Sequence, residues 1–280
     1  MNSSKEKGDM DCILTHKKPN EFLVRSLSGF FAMLIAVATI LQGSPYLEIL
    51  GSLLLVGLMK EWLRLNSCSL LHPFSIFIIG FTILTFYQPS LTTISIGASV
   101  VGSCFFLLST LMNKQKIFPT FILIIGSLYI CSAVLVLLYL FNQGLSQRLL
   151  FIWVLGIIWF TDSGAYFIGK CIGGPKLAPR ISPKKTWSGF IGGTIVSVIA
   201  SVLLAPYFSI HENLKMNIAL YVFILSISAH FGDLLESVVK RYFGVKDAGS
   251  LIPGHGGLLD RLDSLLSVSL AIGLIAWLTQ

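Results

Sequence analysis

Nine apolar runs follow one another along this chain, at about residues 26–42, 46–59, 73–87, 91–112, 118–141, 149–168, 187–208, 217–238 and 258–279. Only short polar stretches separate them. Runs near 20 residues match the thickness of a bilayer core, and within lipid each backbone N–H and C=O must find a partner inside its own segment, which selects the helix. The expected fold is therefore all-α, a polytopic integral membrane protein with about nine transmembrane helices. A soluble chain would carry about a quarter charged residues; here charged residues make up 12% and hydrophobic residues 54%. Residues 1–25 read as a polar cytoplasmic tail with no cleavable signal, 26–145 as scaffold helices, and 146–280 as the region that carries chemistry. The first five runs hold almost nothing ionisable apart from Glu48.

The net charge of +7 could suggest a nucleic-acid partner. Alternating the loops from a cytoplasmic N-terminus places all Lys and Arg except Arg148 and Lys215 on one side of the membrane. That is the positive-inside asymmetry. The charge is then largely topological, no nucleic acid is needed to explain it, and the chain is expected in the cytoplasmic membrane with its C-terminus outside. The cysteines, Cys12, Cys68, Cys104, Cys131 and Cys171, lack metal-site spacing and read as ordinary apolar residues. The absence of an internal repeat weakens a transporter reading.

Two cytoplasmic patches concentrate the chemistry. The second and denser runs from Glu236 to Ser264, with Asp233 one helical turn before it. A helix would carry Asp233, Glu236 and Lys240 on one face, and Asp260 and Asp263 repeat the same spacing. Asp233, Asp260 and Asp263 are oxygen ligands of the kind Mg²⁺ takes together with substrate phosphates. Glu236 reads better as the partner of Lys240 in a helix salt bridge. Between these helices Pro253-Gly254-His255-Gly256-Gly257 forms a loop open to close approach by a bound group, with His255 suited to phosphate contact or acid/base work. The role of His230 stays open, and His16, His72 and His211 read as surface or interfacial residues. The first patch runs from Trp159 to Gly193. Asp162 reads equally as a functional carboxylate near the membrane surface and as a helix-end residue facing water. Gly173-Gly174-Pro175 and Pro179 make Lys170 to Arg180 a basic loop. Ser182-Pro183 predicts a helix start, with Lys184, Lys185 and Thr186 in the first turn and a phosphate site at its N-terminus. Lys170 and Lys185 could equally serve topology and lipid headgroups. These residues support a membrane-embedded enzyme of phosphoryl-type chemistry with a lipid substrate.

The run Ser237-Val-Val-Lys240-Arg241 with Lys246-Asp247, then Pro253-Gly-His255-Gly-Gly-Leu-Leu-Asp260-Arg261-Leu-Asp263, resembles the signature of the phosphatidate cytidylyltransferases, or CDP-diacylglycerol synthases. GDLLES at 232–237, DSGAYFIGK at 162–170 and SPKKTW at 182–187 are similar to that family too. The resemblance implies a nucleotidyltransferase that converts CTP and phosphatidic acid to CDP-diacylglycerol and pyrophosphate, an early step of phospholipid biosynthesis, at the cytoplasmic face. It implies Mg²⁺, with a second metal ion left open, held by Asp233, Asp260 and Asp263. Lys240, Arg241, Lys246 and Arg261 would neutralise phosphates. Asp162, Lys170, Lys176, Lys184, Lys185, Asp247 and His255 join them as substrate-binding candidates, and Ser182 and Ser237 are candidate ligands. Family members form membrane homodimers. Two departures stand out: Ser188 replaces a usual acid, and His230 replaces a smaller or amide residue. A CTP-dependent lipid-alcohol kinase, an ion transporter and an inactive scaffold are the rival readings.

Overall fold

The computed structural model describes residues 33–66, 70, 73–87, 117–208, 210, 217–249, 251 and 256–279. The N-terminal tail, the run at 91–112, Lys114, Lys116, Lys215, His255 and the histidines at 16, 72 and 211 lie outside these residues. Along the described chain the elements are α1 (Met33–Gln42), α2 (Tyr46–Leu65), α3 (Pro73–Tyr87), α4 (Ile117–Phe141) and α5 (Leu145–Ile172). A hairpin of β1 (Lys176–Ala178) and β2 (Ser182–Thr186) follows, then α6 (Trp187–Leu204), α7 (Ile218–Tyr242) and α8 (Leu259–Leu278). The protein is an all-α polytopic membrane protein apart from that small antiparallel hairpin. Among the described residues five helices, α4 to α8, are long and apolar enough to cross a membrane. α2 runs past its apolar part and adds Lys60, Glu61 and Arg64 in its last turns.

The last four helices form the half of the bundle that holds the site. α5 and α6 share the most extensive contact in the fold, and small residues explain it. A Cβ added to Gly193 would lie 2.6 Å from Thr161 O, and one added to Gly189 2.7 Å from Ala165 O. Only glycine lets the two backbones meet this closely, as at other small-residue crossings in lipid. Above this seam Thr161 Oγ1 donates to Ser226 Oγ at 3.0 Å, and Ser226 Oγ to Thr194 Oγ1 at 3.2 Å, so a chain of hydroxyls joins α5, α7 and α6. α7 is capped by Asn217, whose Oδ1 accepts from the N–H groups of Ala219 and Leu220. Apolar side chains such as Leu53, Ile199, Leu203 and Trp277 point outward, the arrangement that lipid permits and water does not.

Two local expectations are corrected. No helix starts at Ser182-Pro183: Ser182 to Thr186 form β2, paired with β1 through Lys176–Thr186 and Ala178–Ser182. α6 starts at Trp187, with Thr186 Oγ1 accepting from Gly189 N at 3.1 Å as the true N-cap. Pairing across the hairpin satisfies backbone groups that the first turn of a helix would have left free. Nor is Lys170 in a loop, because α5 continues to Ile172 and stops only at Gly173, with φ of 66°.

Candidate active site

α5, the hairpin, α6, α7 and α8 enclose a charged cavity of about 730 Å³. Its acids are gathered by one close crossing. Gly232 of α7 lies against α8, where an added Cβ would come within 2.6 Å of Asp263 O. Asp233, the next residue, and Asp263 therefore share one seam, and Asp162 joins them from α5. Lys185, on β2, sets its Nζ 2.5 Å from Asp233 Oδ2. Lys240 Nζ lies 2.6 Å from Asp260 Oδ1 and 3.4 Å from Glu236 Oε2. With 13% of Lys240 and 12% of Asp260 exposed, this pair is largely withdrawn from water, so each partner depends on the other. Asp260 also accepts from Ala248 N at 2.9 Å and Gly257 N at 3.1 Å.

Asp162, Lys170, Lys176, Lys184, Lys185, Asp233, Lys240, Asp260, Arg261 and Asp263 all line this cavity. Asp162 stands mid-helix, ten residues before the end of α5, so it is not a helix-end residue. Ser182, Ser237, Arg241, Lys246 and Asp247 are not among the lining residues. Arg241 serves the frame: its Nη1 donates to Val245 O at 3.0 Å and its Nε to Ile181 O at 3.4 Å, fastening the hairpin to the end of α7. Ser188, where an acid was expected, donates to Gly173 O and closes the turn between α5 and β1. His230 is buried against Phe190, with ring centroids 4.7 Å apart, and its Nε2 has no partner on the cavity wall.

A model of the cytidylyltransferase family matches residues 23–278. The chain belongs to that family. Phosphatidate cytidylyltransferase of Staphylococcus aureus (strain COL) is 36% identical over 251 residues, covering 88% of this chain and 95% of the relative. The proteins of the same name from Staphylococcus haemolyticus (strain JCSC1435) and Staphylococcus epidermidis (strain ATCC 12228) are 34% and 32% identical over the same shares. As a member of the cytidylyltransferase family the chain is a nucleotidyltransferase, and the charged cavity is the part of it suited to polyphosphate.

Two further features of this cytidylyltransferase bear on its ligands. Among the described residues no three His, Cys, Asp or Glu side chains stand close enough to hold a metal ion as placed. The donor chemistry still fits Mg²⁺: Asp233 and Asp263 are hard oxygen donors on one seam, and the buried carboxyl of Glu236 lies against Asp263 and Lys240. The ammonium groups of Lys185 and Lys240 occupy positions that a cation could take. A second cavity, of about 720 Å³, is walled by apolar side chains of α1, α2, α4, α5 and α8. It shares Asp162, Arg261, Asp263 and Ser264 with the charged cavity.

Sequence reasoning passed over Glu61. It is 2% exposed on α2, and its carboxylate accepts backbone hydrogen bonds from Leu251 and Leu259. The apolar run ends at residue 59, which put Glu61 with Lys60 and Arg64 in a cytoplasmic loop. Glu236, read as a surface ladder partner, does face Lys240, but from a buried position.

Proposed function

We propose that the chain is a phosphatidate cytidylyltransferase, which joins CTP to phosphatidic acid and releases CDP-diacylglycerol and pyrophosphate. The observation that carries this reading is the meeting of two unlike cavities at Asp162, Arg261, Asp263 and Ser264. A lipid phosphate held at that border has its acyl chains in the apolar cavity and its oxygen facing the charged one. A phosphate oxygen of phosphatidic acid attacks the α-phosphorus of CTP. The bond from that phosphorus to the bridging oxygen breaks, and pyrophosphate leaves with the electron pair.

Such a displacement asks the protein for positioning and charge neutralisation. Lys185 and Lys240 can turn from Asp233 and Asp260 toward phosphate oxygens, Arg261 sits at the border where the lipid phosphate arrives, and Lys170, Lys176 and Lys184 face the polyphosphate tail. Asp233 and Asp263, with Asp260 once Lys240 has turned away, are the residues that would hold Mg²⁺. When bound, it supplies neutralisation of the phosphate charge. The basic loops support a cytoplasmic face of the inner membrane for this cavity.

Purified protein supplied with phosphatidic acid, magnesium and CTP labelled in turn at the α and γ phosphates tests the reading. Label is expected in lipid from the α position only, with pyrophosphate released. Transfer of γ label would instead mean a lipid kinase, and no transfer would remove the assignment. Sealed inside-out vesicles should turn over added CTP and right-side-out vesicles should not.

A further inference from the structure

Two carboxylates from different helices fasten the described ends of the stretch between α7 and α8. Glu61, from α2, accepts from Leu259 N with Oε2 at 2.8 Å and from Leu251 N with Oε1 at 3.3 Å. Asp260, from α8, accepts from Ala248 N and Gly257 N. Leu259 is the first residue of α8, where backbone donors have no partner inside the helix and a negative charge is favoured. Two glycines leave room for the carboxylates. A Cβ on Gly249 would fall 2.2 Å from Glu61 Oε1, and one on Gly257 would lie 2.7 Å from Asp260 Oδ2 and 2.9 Å from Glu61 Oε2. Gly257 therefore sits between the two acids, and any side chain at either glycine drives Glu61 off its donors.

We propose that Glu61 is a positioning residue for cytidylyl transfer: it pins Leu251 and Leu259 to α2, so that Asp260, Arg261 and Asp263 at the start of α8 keep their places in the charged cavity. This rests on the functional reading above. α2 also lends Leu47, Leu54 and Leu58 to the apolar cavity, so one helix fixes the acyl-chain wall and, through Glu61, the origin of the helix that bears the acids. Glu61 reaches the reaction through backbone groups and touches neither substrate.

The test uses the full chain in detergent, with Glu61→Gln as a near-isosteric change. Glutamine offers one acceptor and one donor to two N–H groups, so one of them loses its partner. Hydrogen exchange read by mass spectrometry should quicken about tenfold in peptides covering 248–259 and stay unchanged in α5 and α6. The turnover number should fall roughly tenfold to a hundredfold, with the Michaelis constant for phosphatidic acid within about twofold of wild type. Gly249→Ala, which keeps the Glu61 carboxylate but displaces it from its donors, should give the same local exchange and the same kcat loss. The double variant should be no worse than either single change, since both break one contact. Unchanged exchange in both variants would overturn the pin. Faster local exchange with unchanged kcat, or losses that add fully in the double variant, would overturn the positioning role. Should Glu61→Gln fail to insert, Gly249→Ala decides alone by the same two readouts. Wild-type protein that transfers no cytidylyl group sinks the functional reading, and the positioning role with it, while the exchange result still decides whether the pin exists.

Discussion

Lys240 answers to two carboxylates at once, Asp260 at 2.6 Å and Glu236 at 3.4 Å, in surroundings largely closed to water. Replacing it with methionine keeps most of the length of the side chain and removes the charge, leaving two acids without their cationic partner. Lys240→Met is expected to cost about 3 kcal/mol or more and to abolish turnover, read by thermal unfolding in detergent beside the labelled-CTP assay. A variant of normal stability would show that the pair carries no structural weight. The acids and bases of this site were legible in the sequence because charge is rare in so apolar a chain, and Asp233, Asp260, Asp263 and Lys240 do line one cavity. Glu61 was not legible, because its partners lie 190 and 198 positions further on. Nothing local distinguishes a buried acid between Lys60 and Arg64 from a solvated one.

The site's depth comes from how closely its helices cross. At the α5–α6 seam, Gly193→Val would set side-chain atoms against Thr161 O, which lies 2.6 Å from even a bare Cβ. The helices must part, at a cost of about 2 kcal/mol. Asp162 on α5 then moves away from Lys185 and Asp233, so both thermal stability and kcat should drop, whereas Gly80→Val on α3, with open space around it, should change neither. The helices themselves were readable from hydropathy, because a span needs a long apolar run. The hairpin was not: a five-residue strand containing Pro183 and two lysines shows no apolar alternation. Its existence depends on the partner strand and on Arg241 holding Ile181 O from α7.

For the molecule as a whole, the informative fact is that an apolar cavity inside the bundle borders the charged one, the two sharing four wall residues. Leu54→Trp, which narrows the apolar cavity at α2, should raise the Michaelis constant for long-chain phosphatidic acid several-fold and leave that for CTP unchanged. An unchanged constant for long-chain phosphatidic acid in this variant would place the acyl chains elsewhere. Composition foretold a membrane protein and the charged patches an enzyme, but two cavities and their border arise only when α1, α2, α4 and α5 converge on α8, and no motif encodes that. The charged cavity also pairs two of its bases with its own acids, Lys185 with Asp233 and Lys240 with Asp260. It therefore behaves as an ion exchanger. A polyphosphate gains the ammonium of Lys185 or Lys240 only by displacing a carboxylate, so at these two positions its affinity reflects a difference between two ion pairs, and its dependence on salt is shallower than the number of bases on the wall suggests.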